Sequence, residues 1–415
     1  MKKIVAGICL SFCLAGCFDK YMAVEYPVID VVNSAGKYQR VYCSDFFSSI
    51  ELIPLETRDE CLLDGVPSPT ILLNDSVILM KGNGRLYAFG RSGKFLNQIG
   101  ERGQGPGEFL TLSDIFFNTD KPTIFVSDFR NIFEYEFNGK FIRSFTKPTV
   151  DGNTLADCSY AGDSLFIGHV FYDGKNKYNF CLFNQLGDTV KCFFNHIFFN
   201  RVAPSASRDN RAMRPIRVDS LLYLKDYVND TLYVLTHSNL QPAYVFGLGK
   251  YSYPLEYMEN NNSPFPNHSF LFQNFGIVGI PNYFFYEIRV PDIFPRPKSK
   301  LRFNHLINQF RSTESTVYGI YDIERNTNTF LDTDQHFQKG IINDMNGGLS
   351  FIPRYYAGDD IVVDVWQAYE MKEILTEEYF AAHEIKHPQA HQKLKELLKN
   401  LDEEDNPVIV IAKLK

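Results

Sequence analysis

From residue 49 onward, short runs of alternating apolar and polar residues recur along the chain, parted by Gly, Asn, Asp and Pro. Alternation with a period of two marks strands, and the punctuating residues are those that tight turns demand. Residues 49–56, Ser-Ile-Glu-Leu-Ile-Pro-Leu-Glu, read as a lone strand. Four runs then follow as one module, at 70–73, 77–80, 86–89 and 95–99, with turns at Asn74-Asp75, Gly82-Asn83-Gly84 and Ser92-Gly93. A second module repeats the order at 115–118, 123–127, 132–137 and 141–145. Its last two runs meet at Asn138-Gly139, the strongest kind of short hairpin signal.

The phrase Tyr87-Ala88-Phe89 with Gly93-Lys94-Phe95-Leu96 returns 46 residues later as Tyr135-Glu136-Phe137 with Gly139-Lys140-Phe141-Ile142. Weaker copies lie at 180–190 and 221–234. A fifth unit has strand material at 283–290 and 317–323, interrupted by a Pro-, Asn- and Phe-rich stretch at 253–275 and a basic, proline-punctuated stretch at 291–302, both expected as projecting loops. A sixth has 349–352 and 361–365, then a helical pattern over 376–401 and a last strand, Val408–Leu414. Four strands in every forty to fifty residues, six times over, predict an all-β fold: a six-bladed β-propeller with a C-terminal helical insertion in its last blade. A ring must close or expose unpaired edges, so the strand near 49–55 and the strand at 408–414 are expected to share that blade.

Between the first two modules lies Gly100-Glu101-Arg102-Gly103-Gln104-Gly105-Pro106-Gly107-Glu108-Phe109. Four glycines and a proline in ten residues predict a shaped loop rather than helix or strand. In a propeller, such a connection shares its face with the turn between the two middle strands of each blade. Arg102, Gln104 and Glu108 are therefore grouped with Asp128, Arg130 and Asp226 as candidate ligand-binding residues. The plainer reading is that the glycines only permit a tight crossing between blades.

Composition sharpens this picture. The 37 Phe and 24 Tyr suit strands, and a net charge of −7 without a Lys/Arg run excludes a nucleic-acid surface. At the N-terminus, Lys2 and Lys3 precede an apolar run over 4–14, the length of a signal-peptide core. Leu14-Ala15-Gly16-Cys17 then resembles a bacterial lipobox, which would make Cys17 the lipidated first residue of the mature protein. The expected division is a signal peptide at 1–16, a tether at 17–40 and the propeller at 41–415, with the chain held to the cell envelope by the lipid on Cys17. Five further cysteines would remain: Cys43, Cys61, Cys158, Cys181 and Cys192. Cys181 and Cys192 flank one hairpin and are candidates for a disulfide, at least one thiol must stay free, and no spacing resembles a zinc site.

His383-Glu384-Ile385-Lys386-His387 spells the H-E-x-x-H pattern of zinc peptidases, and His391 continues its face. Pro388 follows directly and should cap or kink the helix, and Lys386 sets a cation beside any metal, so no metal or other cofactor is assigned there. No G-x-S-x-G elbow, P-loop or dinucleotide fingerprint occurs, and the expectation leans away from catalysis.

The loop at 100–109, the Gly93-Lys94-Phe95 phrase, Ile53-Pro54-Leu55-Glu56-Thr57 and Asp405-Asn406-Pro407-Val408 together resemble the bacterial six-bladed β-propeller lipoproteins related to NHL-repeat proteins. The resemblance implies this architecture and an envelope location on an outer membrane, and carries over no catalytic residue. It favours a module that binds a glycan, a peptide or another envelope protein. It also implies an alternative, a lyase or lactonase-type enzyme with a metal held on the propeller axis by Asp, Glu, Asn or His from successive blades.

Overall fold

The computed structural model describes residues 26–63, 70–171, 174–199, 214–226, 229–252, 273–291, 293–297, 301–304, 309–312 and 316–415, with backbone alone at 273–275, 301–304 and 309–312. The segment expected as a signal peptide, and Cys17, lie outside the described residues. Six antiparallel sheets form a ring. In chain order their inner strands are Thr70–Leu73, Asp114–Phe117, Ala156–Gly162, Ile216–Val218, Gln273–Ile280 and Tyr355–Gly358. These inner strands pack against one another around the axis, so the expected six-bladed propeller is the fold.

The physical reason for the strand pattern lies in the stacking of blades. A middle strand is covered on both faces, so it reads as a continuous apolar run, as in Thr123–Ser127, where all five residues are buried. An outer strand has one wet face, and Phe141–Thr146 alternates half-buried with exposed positions. Ile78 and Met80 pack toward the sixth blade, while Leu79 and Val77 pack toward the second. Between the second and third blades Phe166 is a hub, its ring within 5.0 Å of Phe125 and of Phe145 and 5.5 Å from Phe183. Each such buried aromatic contributes roughly 1.5–3 kcal/mol of apolar transfer free energy.

Closure is as expected. Phe47–Pro54 pairs antiparallel with Val408–Leu414, which in turn pairs with Ile361–Trp366, so the two ends of the ring meet in the sixth blade. Cys181 and Cys192 sit opposite each other on neighbouring strands of the third blade and form a disulfide, while Cys43, Cys61 and Cys158 are buried free thiols.

Other expectations are corrected. The stretch 17–40 is not a free tether throughout: Val28–Ile29 pairs in parallel with Val245 and Phe246, and Tyr38–Gln39 with Phe330 and Leu331. Each adds a fifth strand to a blade edge, so the fourth and fifth blades are covered where their outer strands would otherwise lie open. The inner strand of the sixth blade is Tyr355–Gly358 rather than 349–352, because Pro353 has no N–H to give and pairing resumes at Arg354, whose amide donates to Val363. Phe351 makes only an isolated bridge to Ile341. Starting at the end of the stretch 291–302 expected as loop, Leu301–Asn304 forms a small hairpin with Gln309–Ser312. The stretch 376–401 expected as helical is two helices, Glu377–Ala381 and Pro388–Asn400, a third, Ala368–Ile374, precedes it, and no described helix is long and apolar enough to cross a membrane.

Candidate binding face and channel mouth

The glycine-rich loop and the turns between middle strands do share one face, and there the six candidate residues divide into two groups. Glu108, Asp128 and Asp226 turn inward. The Glu108 carboxylate accepts from the Gly105 amide at 2.8 Å and so ties the loop to itself. Asp128 is buried; one oxygen accepts from the amides of Arg130 and Asn131 at 2.7 and 2.6 Å, and the other from Leu110 at 3.4 Å. This carboxylate therefore joins the loop to the neighbouring turn. Asp226 is buried between the third and fourth blades, where it acts electrostatically on His169. Arg102, Gln104 and Arg130 are exposed. Beside them stand Phe129, 67% exposed, and Leu110, 50% exposed.

Two glycines of the loop are demanded by packing. Gly100 has φ +62°, and a Cβ there would lie 2.7 Å from Phe109 and 2.8 Å from the Tyr135 hydroxyl. Gly107 has φ +77°, with Phe141 at 2.7 Å from the same hypothetical atom, and its carbonyl accepts from Tyr135 at 2.7 Å. The plainer reading accounts for Gly100 and Gly107, and two short parallel strands, Glu101–Arg102 and Glu108–Phe109, pair where a loop without strand was expected.

The second strands hold a group that sequence reasoning missed. At or next to their ends stand Lys81, Ser127, His169, Lys225 and Arg289, a polar residue after an apolar run in five successive blades, and this regularity was the available signal. These residues sit at the end of the ring that carries the loop. Lys81 donates to the carbonyl of Ser113 at 3.0 Å. Lys147 is buried and donates to Ser127 and to the carbonyl of Asp128. Burial pulls the Lys225 ammonium below the ordinary lysine range, and its hydrogen bonds go to the carbonyls of Asp226 and Asn229. Burial also lowers the pKa of His169, whose Nε2 has no partner.

The axis itself is crossed by guanidinium groups. Arg214, just ahead of the inner strand of the fourth blade, donates to the Thr70 hydroxyl of the first blade at 2.8 Å. Deeper in, Arg217 donates to the carbonyl of Tyr160 and lies within electrostatic reach of Tyr355 and Asp120. At the opposite end, the inner hairpin turns carry Asp75, Asp120, Asp163, Asp219, Asp359 and Asp360. Asp163, Asp219, Asp359 and Asp360 have positive φ, a conformation aspartate tolerates, so turn geometry suffices to explain those four. Two arginines and a tyrosine on the axis do not fit the metal that the lyase-type alternative requires. Among the described residues, no group of three His, Cys, Asp or Glu is gathered to hold one.

The H-E-x-x-H sequence is not a helical turn. His383 follows the helix Glu377–Ala381, and His387 is the N-cap of Pro388–Asn400 with Pro388 at its first turn. His383 presents Nδ1 to the carbonyl of Tyr379 at 2.8 Å and Nε2 to Asp334 at 3.2 Å. Both partners accept, so the doubly protonated ring is favoured. Burial opposes this, but the hydrogen bonds and the charge of Asp334 prevail and raise the pKa. The helices dock on a buried polar loop, Asn343-Asp344-Met345-Asn346, through Lys386 on Asp344 at 2.7 Å and His391 on the Asn346 carbonyl at 2.8 Å.

A family profile described as a domain of unknown function, DUF4934, matches residues 26–413. The chain belongs to this family. Among curated protein sequences none matches it significantly. In structure it is similar to a Bacteroides fragilis protein designated as exported, at a TM-score of 0.64 and 19% identity, over 94% of this chain and 99% of that one. A DUF4221-family member from Bacteroides vulgatus aligns at a TM-score of 0.49 and 11% identity, over 89% and 97%. A catalytically inactive virginiamycin B lyase from Staphylococcus aureus aligns at only 0.33, over 56% and 65% with 12% identity, too distant to bear on chemistry. The first of these likenesses supports the propeller architecture.

Proposed function

We propose that this family member is an envelope lipoprotein, anchored through Cys17, whose propeller binds a glycan, peptide or protein partner on the face carrying the glycine-rich loop. The observation that carries this reading is Phe129, an aromatic ring 67% exposed beside Leu110, Arg102, Gln104 and Arg130 on a turn held by the buried Asp128. Folding gains little from a phenyl ring in water, whereas a rigid aromatic flanked by planar polar groups suits a partner's surface. Phe171 and Phe198, on loops of the third blade at the same face, extend the apolar ground. The lipobox-like sequence and the likeness to an exported protein support the location. The kinship to NHL-repeat propellers stands as part of the same reading, on the strength of the recurring Gly-Lys-Phe phrase.

The test pairs two arms. Phe129→Ala, Arg102→Ala and Arg130→Ala should leave thermal stability nearly unchanged and weaken binding on glycan and peptide panels by about tenfold or more. Unaltered binding would place the site elsewhere. Cys17→Ala should move the protein from the membrane fraction to the soluble one, and continued membrane retention would refute the anchor.

A further inference from the structure

Where the outer strand of each blade reaches the loop-bearing face, ladder geometry leaves two equivalent backbone positions pointing away from the sheet. In the fourth blade these are Val245 and Gly247, because the amide between them, Phe246, turns inward to the Asp230 carbonyl at 2.8 Å. The same inward bond runs from Asn195 to Lys177 in the third blade, Lys147 to Arg130 in the second, Ile99 to Leu86 in the first and Leu55 to Pro407 in the sixth. The outward pairs are therefore Phe194 and His196, Thr146 and Pro148, Gln98 and Gly100, and Pro54 and Glu56.

Most of these edges are filled or blocked. The chain's own segments fill two: Val245 and Gly247 donate to the carbonyls of Pro27 and Ile29 at 3.0 and 2.9 Å, and in the fifth blade Asp332 donates to Gln39 at 2.8 Å. In the second and sixth blades Pro148 and Pro54 have no N–H to offer, and the Glu56 amide is spent on the Gly93 carbonyl. In the first, the Gln98 carbonyl accepts from the Asn97 side chain, and the Gly139 turn lies against it. At the third blade the amides of Phe194 and His196 and the Phe194 carbonyl have no partner among the described residues. The Phe194 ring beside them is 59% exposed and packs on Tyr178, with the Lys177 ammonium 5.5 Å from its centre.

Resting on the reading that this end of the propeller binds a partner, we infer that the third blade takes an extended peptide segment of another chain as a parallel fifth strand. Two carbonyls of the peptide, two residues apart, accept from Phe194 and His196, as Pro27 and Ile29 do on the fourth blade. The peptide residue that stands where Val28 stands is apolar and lies against the exposed Phe194 ring. A strand fits better than a sugar or a lipid, because the open groups are backbone amides and a carbonyl at ladder spacing. The fourth and fifth blades already satisfy the same groups with strands.

Proline already stands at both equivalent positions, as Pro148 and Pro54, so His196→Pro and Phe194→Pro each delete one edge donor from a backbone that accepts the ring. The probe is a phage-displayed library of random peptides, selected on the full chain after depletion on His196→Pro. Sequences should survive the depletion. The synthetic peptide made from the strongest should bind His196→Pro and Phe194→Pro about tenfold or more weakly than His196→Ala, which keeps the N–H. Equal binding to His196→Pro and His196→Ala overturns the strand. If no sequence survives while peptides or glycans still bind in a Phe129-dependent way, the edge is overturned and the binding face is kept; no binding by any probe overturns both readings. A parent chain that sediments as a dimer, and as a monomer in both proline variants, overturns the foreign peptide in favour of a second copy of this chain. A urea midpoint lowered in both proline variants but not in His196→Ala overturns it in favour of the chain filling its own edge.

Discussion

Gly100→Ala is the sharpest probe of whether the glycine-rich loop is built for packing. The substitution places a methyl group on a backbone with φ +62°, which for an L-residue costs about 1–2 kcal/mol. It also drives that group to 2.7 Å from Phe109 and 2.8 Å from the Tyr135 hydroxyl, and forced overpacking adds about 1–3 kcal/mol. The total is about 2–5 kcal/mol. Gly152→Ala is the control: its φ is +79°, nothing lies within 4 Å of the added atom, and only the backbone term applies. A chain of this size gains roughly 0.8 kcal/mol/K of unfolding entropy, so each kcal/mol shifts Tm by only about 1 °C. Urea unfolding followed by circular dichroism is therefore the better assay, with Arg102→Ala as an exposed reference expected within about 0.5 kcal/mol of the parent. If Gly100→Ala and Gly152→Ala prove equally stable, the crowding argument is wrong. If Gly100→Ala keeps full stability and loses ligand, the glycine serves recognition instead.

Two further outcomes follow from the buried polar groups and the disulfide. Folding raises the pKa of His383, so its stabilisation is complete below the unfolded value of 6.5 and disappears as pH climbs through the higher folded value; His383→Gln should lower Tm more at acid than at alkaline pH, and a difference independent of pH would sink the Asp334 pairing. Cys192→Ser opens a loop of sequence separation 11 and should reduce stability by about 2–3 kcal/mol, while native alkylation should leave the buried Cys43, Cys61 and Cys158 unmodified. Rapid labelling of any of those three would show that its blade opens in the native state.

Strand order and blade count were legible because the second blade restates the phrase of the first and the next two carry weaker copies, with Tyr87 and Phe95 and Tyr135 and Phe141 in equivalent places, and ring closure because a lone strand stands at each end. What sequence reading lost was long-range or non-repeating. The strands Val28–Ile29 and Tyr38–Gln39 are too short to show any period, and only their partners more than two hundred residues away identify them. His383 and His387 share a motif but not a helix, because Pro388 starts a new helix after them. Arg102, Gln104 and Arg130 were legible as candidates from loop position, whereas Lys147 and Arg214 were not, since only the folded ring sets Lys147 against Ser127 and Arg214 against Thr70.

The pairing that closes the ring also orders events in time. Ser48 meets Leu414 across 366 positions of sequence, so the sixth blade stays incomplete until almost the last residue has been made available. Until then the partly built ring offers the edges of Phe47–Pro54 and Ile361–Trp366 to any other strand. Contacts this distant slow folding, and a chain threaded into another compartment from its N-terminus would meet that hazard while still arriving. The protein's exposure to aggregation is then set by how long the last strand takes to arrive, and a chaperone that shields those two edges would be its natural helper.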